Sequence, residues 1–467
     1  MGFIENFVNW SNGILWSYVL IIMLIGMGLW FTVRSGFVQL RMLPEMCRLL
    51  KEGVGVKDDT HISSFQAFCI STASRVGVGN IAGVAIAIML GGPGAVFWMW
   101  VIALIGSASG FVESTLAQIY KVRDPKTGGF IGGPAYYIKN ALGSAPAAAL
   151  FAVLIAVTYG LCFNSVQSNT ITLSLHTAFG IEKAYIGCAI TVLTAFTIFG
   201  GIKRIAKLSS WLVPVMAVAY LGMAILVILM NLSAVPGMFA TIIAKAFAPD
   251  AAVGGIIGAL LNGAKRGLFS NEAGMGSVPN AAATADVTHP VKQGLVQALG
   301  VFVDTMLVCS ASACIVMLFD GYADAGKTGI ELVQLAMTSH FGEIASLLLT
   351  VMVFMFAFSS IAGNYYYGES NIQFFSTNPI YLTLFRLLVV DMVAFGSVAD
   401  LPFVWNLADL FMALMAIVNL IAIFLLGRNA FIALKDYQAQ KNAGVTEPTF
   451  DPETMIHKNG IEVWGKK

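Results

Sequence analysis

The chain has 467 residues, 26 Lys and Arg against 25 Asp and Glu, a net charge of +1 and 58% hydrophobic residues. Only 11% is charged, where soluble domains carry about 25%, and mean hydropathy is +0.80. These values exclude an ordinary soluble globule and a disordered chain, and the neutral balance lacks the basic footprint that nucleic acid requires.

A membrane-spanning helix takes about 20 mostly apolar residues. Stretches of that kind lie at 14–34, 64–90, 95–120, 147–175, 184–201, 209–231, 251–285, 293–319, 343–372, 379–398 and 402–427, which predicts eleven spans and an all-α integral membrane protein. The runs are continuous rather than alternating, which counts against a β-barrel. Residues 1–13 hold no Lys or Arg, so the first run reads as a true helix and not as a cleavable signal.

Loop charge sets the direction. With the N-terminus outside, the inner segments hold nineteen Lys and Arg, among them Arg34, Arg41, Lys57, Lys126, Lys203, Arg204, Lys207, Arg428, Lys466 and Lys467. The outer loops then hold only Lys183, Lys245 and Lys327. The positive-inside bias predicts an outer N-terminus, a cytoplasmic C-terminus and residence in the cell (inner or plasma) membrane among lipids. Cys47 falls in an inner loop and the other cysteines in apolar runs, so no disulfide is expected. His61, His176, His289, His340 and His457 are scattered without an HExxH pattern, and no nucleophile–base motif is present. The expected class is therefore not an enzyme, with no cofactor and no obligatory protein partner.

Two runs are interrupted. The second span contains Ser74-Arg75-Val76-Gly77-Val78-Gly79-Asn80, and the seventh contains Phe269-Ser270-Asn271-Glu272-Ala273-Gly274-Met275-Gly276. Unwound backbone at membrane depth is tolerated only where it lines a cavity or is buried in protein. With the first span set aside, each break opens a block of five, and five is odd, so the second block enters from the opposite side. Paired breaks in an inverted repeat point to a secondary-transporter site. The organisation read here is 1–60 as an extra helix and basic loop, 61–231 as the first repeat, 232–250 as an external connection, 251–428 as the second repeat, and 429–467 as a cytoplasmic tail. The tail looks polar and solvated from Lys435. The amphipathic stretch 237–247 is either a cap over the entrance or an interfacial linker.

At these residues the chain resembles the alanine or glycine:cation symporter family of the amino acid–polyamine–organocation superfamily. The strings that carry the resemblance are Val76-Gly77-Val78-Gly79-Asn80-Ile81-Ala82-Gly83, Gly91-Gly92-Pro93-Gly94, Gly132-Gly133-Pro134-Ala135-Tyr136-Tyr137, Arg266 to Ser277, His289 to Gly294, and Phe356-Ala357-Phe358-Ser359-Ser360. The resemblance implies a LeuT-like five-plus-five fold with one extra N-terminal helix. It also implies sodium-coupled symport of a small neutral amino acid, alanine or glycine, with sodium as co-substrate. The alternative is a proton-coupled or cation-independent carrier of a larger neutral amino acid such as glutamine or serine.

By the same resemblance the substrate carboxylate meets the Gly77, Gly79 and Asn80 backbone. Sodium, a hard cation, meets the carbonyls of Ala73, Val76 and Phe356 and the hydroxyls of Ser359 and Ser360. On their own, those two hydroxyls read equally as back-bonded to their helix. Phe269, Ser270 and Asn271 are expected substrate contacts, Phe269 being a packing residue on the other reading. Gln167 and Asn164 are either substrate contacts or interhelical glue. Asn364 stands where many relatives carry an aromatic, which changes the pocket or gate. Arg75 and Glu272 are candidates for a gate or an ion substitute; Arg75 at membrane depth needs a partner, for which Glu113 and Glu272 are the expected ones, or it is a paired strut. Asp304, Asp391 and Asp409 are embedded carboxylates, either proton carriers or paired structural charges.

Overall fold

The computed structural model describes residues 2–53, 62–125, 127–199, 202–249 and 254–464, with the backbone alone for 202–210. Lys57, His61, Lys126, Lys466, Lys467 and the side chains of Lys203, Arg204 and Lys207 lie outside the described residues. Helix α1 (Gly2–Arg34) begins well before the predicted residue 14. Its first turns are broken by polar residues, which an apolar window misses, yet they dock on the last helix: Asn12 Nδ2 donates to Asn406 O at 2.8 Å and Trp16 Nε1 to Asp409 O at 3.2 Å. An amphipathic helix, α2 (Leu43–Glu52), follows.

The first set of five comprises α3 (Ser64–Arg75) with α4 (Gly79–Gly91), then α5 (Gly94–Ile119), α7 (Ala145–Phe179), α8 (Lys183–Ile198) and α9 (Ile202–Met230), with a short helix α6 (Pro134–Leu142) between α5 and α7. Helix α10 (Val235–Ala246) lies in the predicted connection. It packs on the start of α5, where Trp98 Nε1 donates to Ala246 O at 3.1 Å. The second set comprises α11 (Gly255–Asn271) with α12 (Val278–Ala282), then α13 (Pro290–Met317), α15 (Glu343–Phe375), α16 (Pro379–Val398) and α17 (Leu401–Asn442). The half-buried helix α14 (Gly329–Phe341), too short to span, precedes α15.

Eight helices among the described residues are long and apolar enough to cross a membrane alone, and the bent pair α3–α4 adds a ninth. The predicted spans 184–201 and 251–285 correspond to the shorter α8 and the interrupted α11–α12. Proline at N1 or N2 opens α6, α13, α16 and α17, where the missing N–H costs nothing. The only sheet among the described residues is a hairpin, Val122–Arg123 with Phe130–Ile131.

The expectation of a solvated tail is corrected. Helix α17 runs on to Asn442, and Tyr437, Phe450 and Met455 are buried. The polar character of the stretch hid its apolar anchors, which are spaced too widely to form a helical stripe.

Candidate functional site

Helix α3 is opened by Ser63, whose Oγ accepts from Gln66 N at 3.2 Å while Gln66 Oε1 accepts from Ser63 N at 2.9 Å, a reciprocal capping box. It ends at Arg75. Val76 leaves helical geometry with φ −80° and ψ 86°, and α4 resumes at an angle of 53°. The freed amides are taken by side chains: Gly77 N donates to Asn80 Oδ1 at 3.1 Å and Val78 N to Gln167 Oε1 at 3.2 Å. Glycine is required here by close approach. A Cβ on Gly77 would collide with Ser360 Oγ and stand 3.0 Å from Gln167 Oε1, and one on Gly79 would stand 2.5 Å from the Phe269 ring.

The second break is built with positive φ. Gly274 and Gly276 adopt φ 85° and 86°, conformations that glycine accepts at little cost, whereas Glu272, at φ 56°, holds a left-handed conformation that a Cβ disfavours. Buried main-chain donors must find partners. Glu113 supplies them, accepting from Gly274 N and Gly276 N at 3.1 Å each and from Asn419 Nδ2 at 2.7 Å. Glu272 accepts from Ser277 Oγ at 2.7 Å and lies 3.2 Å from Ser74 Oγ.

The two breaks meet at Asn80, Ser270 and Asp304. Asn80 Nδ2 donates to Asp304 Oδ1 at 2.6 Å and to Ser270 Oγ at 3.0 Å, and Ser270 Oγ donates to Asp304 Oδ2 at 2.5 Å. Asn271 points elsewhere, with Nδ2 donating to Thr305 Oγ1 at 3.3 Å and Oδ1 accepting from Ala273 N at 3.0 Å. Phe269 packs between Phe163 and Trp405, with ring centroids 4.4 Å and 4.7 Å away, so it is both a packing residue and the wall facing Gly79. Beside this stack Arg266 pairs with Asp409 and sits 4.5 Å over the Trp405 ring.

Around α15, Ser360 Oγ reaches Ala73 O at 2.9 Å and Phe356 O at 3.0 Å. It thereby joins carbonyls of two helices, whereas among the described residues Ser359 Oγ donates only to Phe356 O in its own helix, at 2.8 Å. Val76 is buried at the end of α3 beside them. Asn164 Nδ2 donates to Gly160 O at 3.1 Å, Asn364 Nδ2 donates to Asn164 Oδ1 at 3.1 Å, and Ser74 Oγ donates to Asn364 Oδ1 at 2.7 Å. Both ends of the Asn364 amide are therefore engaged.

The structure thus brings together Ala73, Gly77, Gly79, Asn80, Gln167, Phe269, Ser270, Phe356 and Ser360. Ser359 and Asn271 stand with their side chains turned into local bonds. The expected partners of Arg75 are corrected. Its Nη2 donates to Gln297 Oε1 at 2.6 Å and Ser71 Oγ at 3.2 Å, its Nη1 donates to Gln297 O at 3.3 Å, and it forms no ion pair among the described residues. The guanidinium turns toward α13 because Gly300 leaves room; a Cβ there would lie 2.7 Å from Nη1. Glu113 and Glu272 instead serve the unwound backbone and its flanking serines. Asp304, embedded by sequence yet not placed in the site, is its central acceptor. Glu113 is expected beside Arg75 and instead serves Gly274, Gly276 and Asn419, while Gln297, Asn419 and Trp405 carry no expectation from the sequence. Gln297 and Asn419 have a signal, a polar residue inside an apolar run, while Trp405 has none.

Residues 1–452 match the sodium:alanine symporter family. The "probable sodium/glutamine symporter GlnT" of Bacillus subtilis (strain 168) is 52% identical over 99% of this chain and 96% of its own length. The "amino-acid carrier protein AlsT" of the same organism is 48% identical over 99% and 98%. The "sodium/alanine symporter AgcS" of Methanococcus maripaludis is 36% identical over 90% and 94%. Among solved structures, MhsT in complex with L-phenylalanine superposes with a TM-score of 0.59 at 13% identity, covering 83% of this chain and 99% of that one, which gives the fold as the LeuT type. Fold, breaks and sequence agree: the chain is an integral membrane transporter and belongs to the sodium:alanine symporter family.

Proposed function

We propose that this transporter carries a small neutral amino acid, alanine or glycine, into the cell together with sodium by alternating access around the site between the two breaks. One repeat-derived bundle would rock against the rest around this midplane site, with the N-terminus outside and the C-terminus in the cytoplasm. The observation that carries the reading is Ser360, whose hydroxyl gathers the Ala73 and Phe356 carbonyls from two helices. An oxygen cluster of this kind suits a hard monovalent cation. One turn away, Gln167 Oε1 occupies the Val78 N–H, a place where a substrate carboxylate oxygen would be received in its stead. Sodium bound there orders α3 against α15 and so prepares the amides for the substrate, a positive coupling of two ligands.

A second reading, transport of glutamine or serine, is favoured by the 52% identity to GlnT and by a small amide at Asn364. Proton coupling, or no cation at all, belongs to the same alternative. Uptake of labelled alanine by proteoliposomes under an inward sodium gradient, competed by a panel of twenty amino acids, tests both. Uptake that is equal in potassium removes the sodium reading, and competition by glutamine but not by alanine or glycine selects the second.

A further inference from the structure

The inner end of α3 and the segment that follows α12 are joined by backbone: Ile62 and Ala285 form a parallel bridge, and Asp286 N donates to Ile62 O at 3.0 Å. Opening a path toward the tail side requires this joint to part, because α3 and α11–α12 carry the two breaks. The segment 285–289 is itself held from the other side. Lys121 Nζ donates to Ala285 O at 2.8 Å and Gln118 Nε2 to the same oxygen at 3.0 Å. Burial lowers the Lys121 ammonium to about 7.

The tail after α17 closes over this arrangement. Phe450 N donates to Thr288 O at 3.1 Å, Thr288 Oγ1 donates to Pro448 O at 2.9 Å, and Lys292 faces Glu447 at 3.5 Å. The Phe450 ring meets His289 at 5.5 Å and Trp464 at 5.1 Å. Further on, Asn429 of α17 receives the amides of Ile456 and His457 at 3.2 Å and 3.4 Å and donates to His457 O at 3.1 Å. Tyr120 OH donates to that carbonyl at 2.7 Å. Trp464 Nε1 donates to Gln118 O at 2.9 Å, and its ring lies 4.9 Å from Lys121 Nζ. A solvated tail has no use for a wholly buried asparagine shaped to its backbone, nor for a tryptophan seated on the lysine that grips Ala285.

We infer that residues 443–464 form a strap that holds segment 285–289 to α5 and α17, and through Asp286 and Ile62 keeps the cytoplasmic side of the site closed. The inference rests on the alternating-access reading for its meaning. Its geometry is independent of substrate, and so is its test. Releasing the strap frees 285–289, the joint to Ile62 parts more often, and the inward-open population rises.

Cys69 in α3 is buried, while Cys47 and Cys188 are exposed. In a Cys47→Ser, Cys188→Ser parent, membrane-impermeant maleimide applied to inside-out vesicles without amino acid reports parting of α3. Deletion of 443–467, or Asn429→Ala in the full chain, is expected to speed labelling of Cys69 about tenfold, the shift in population expected from losing one or two hydrogen bonds that cooperate. Labelling equal to or slower than the parent's in variants that keep its thermal midpoint overturns the strap. If the variants fail to fold, hydrogen exchange on the parent decides. The amides of Ile456 and His457 and those at the start of α3 are expected to exchange at matching rates, as one opening unit; protected tail amides beside freely exchanging α3 amides overturn it. Failure of alanine uptake with faster labelling would sink the proposed substrate and leave the strap standing.

Discussion

Asn80 and Asp304, 224 residues apart, share a 2.6 Å hydrogen bond in the wholly buried space between the two breaks. Ser270 joins the same carboxylate from α11. One side chain from each broken helix is therefore fixed by a single carboxylate on α13, so the relative position of the breaks depends on Asp304. Hydrogen bonds to charged groups contribute about 1.5–3 kcal/mol, and a buried acceptor left without a donor loses that in full. Asn80→Ala is expected to lower alanine uptake about 10- to 150-fold, and Asp304→Leu to abolish it. Uptake within twofold of the parent for Asp304→Leu would remove Asp304 from the site.

Much of this arrangement is visible in the amino-acid string because its cause is local. Gly77, Gly79, Gly274 and Gly276 interrupt apolar runs, and interruption at membrane depth has few physical explanations. What remained hidden depends on which helix faces which. Nothing in the string says that Arg75 turns to Gln297 instead of Glu272, since that follows from the space left by Gly300 on another helix. Trp405 looks like any tryptophan at a helix start until its ring is found against Phe269. The tail reads as solvated for a similar reason: Phe450 and Trp464 are lone apolar residues whose partners, His289 and Gln118, stand far away in the sequence.

Ser359 and Ser360 differ in reach, and sodium dependence should separate them. Ser360 Oγ touches carbonyls of two helices, whereas Ser359 Oγ turns back on its own. Ser360→Ala is expected to raise the sodium concentration for half-maximal uptake about tenfold, the loss of roughly one hydrogen-bonding oxygen. Ser359→Ala should leave it within about twofold, since back-bonding adds little. Sodium titrations of uptake at saturating alanine measure both.

Gly77→Ala tests the close approach directly. The added methyl displaces Ser360 and crowds Gln167; overpacking of this kind costs about 1–3 kcal/mol. The variant is expected to fold with a slightly lower thermal midpoint and to lose both sodium-induced and alanine-induced thermal stabilisation. A midpoint and ligand response equal to the parent's would show that the break relaxes freely.

Arg266 and Asp409 form a buried ion pair in which Arg266 Nε and Nη1 and Asp409 Oδ1 have no hydrogen-bond partner among the described residues. Removing one partner strands the other, at about 3–5 kcal/mol. Arg266→Ala is therefore expected to lower the unfolding midpoint sharply, and the double change Arg266→Met with Asp409→Leu to recover much of the loss. Thermal unfolding in detergent provides the comparison. A double variant no better than the single would mean that stacking on Trp405 at 4.5 Å, and not charge, holds this corner.

Outside the membrane, α2 is attached to the end of α17 through Glu45. Its carboxylate accepts from Arg48 Nη2 at 2.6 Å and from Tyr437 OH at 2.5 Å. The Arg48 hydrogen bond, aided by Tyr437 and opposed by partial burial, lowers the Glu45 carboxyl from the ordinary 4.5 to about 2. A carboxyl whose folded value is depressed stabilises the attachment fully above its unfolded value. The contribution declines as pH falls below about 4.5 and is gone below about 2. Amide exchange across residues 43–52, corrected for its intrinsic pH dependence, should hold steady from neutral pH to about 5 and then rise as the pH is taken toward 2. Glu45→Gln should show the higher rate throughout and no such rise. A parent whose corrected exchange stays flat through that window would show that α2 is held by its apolar face alone, through Met46 and Leu49.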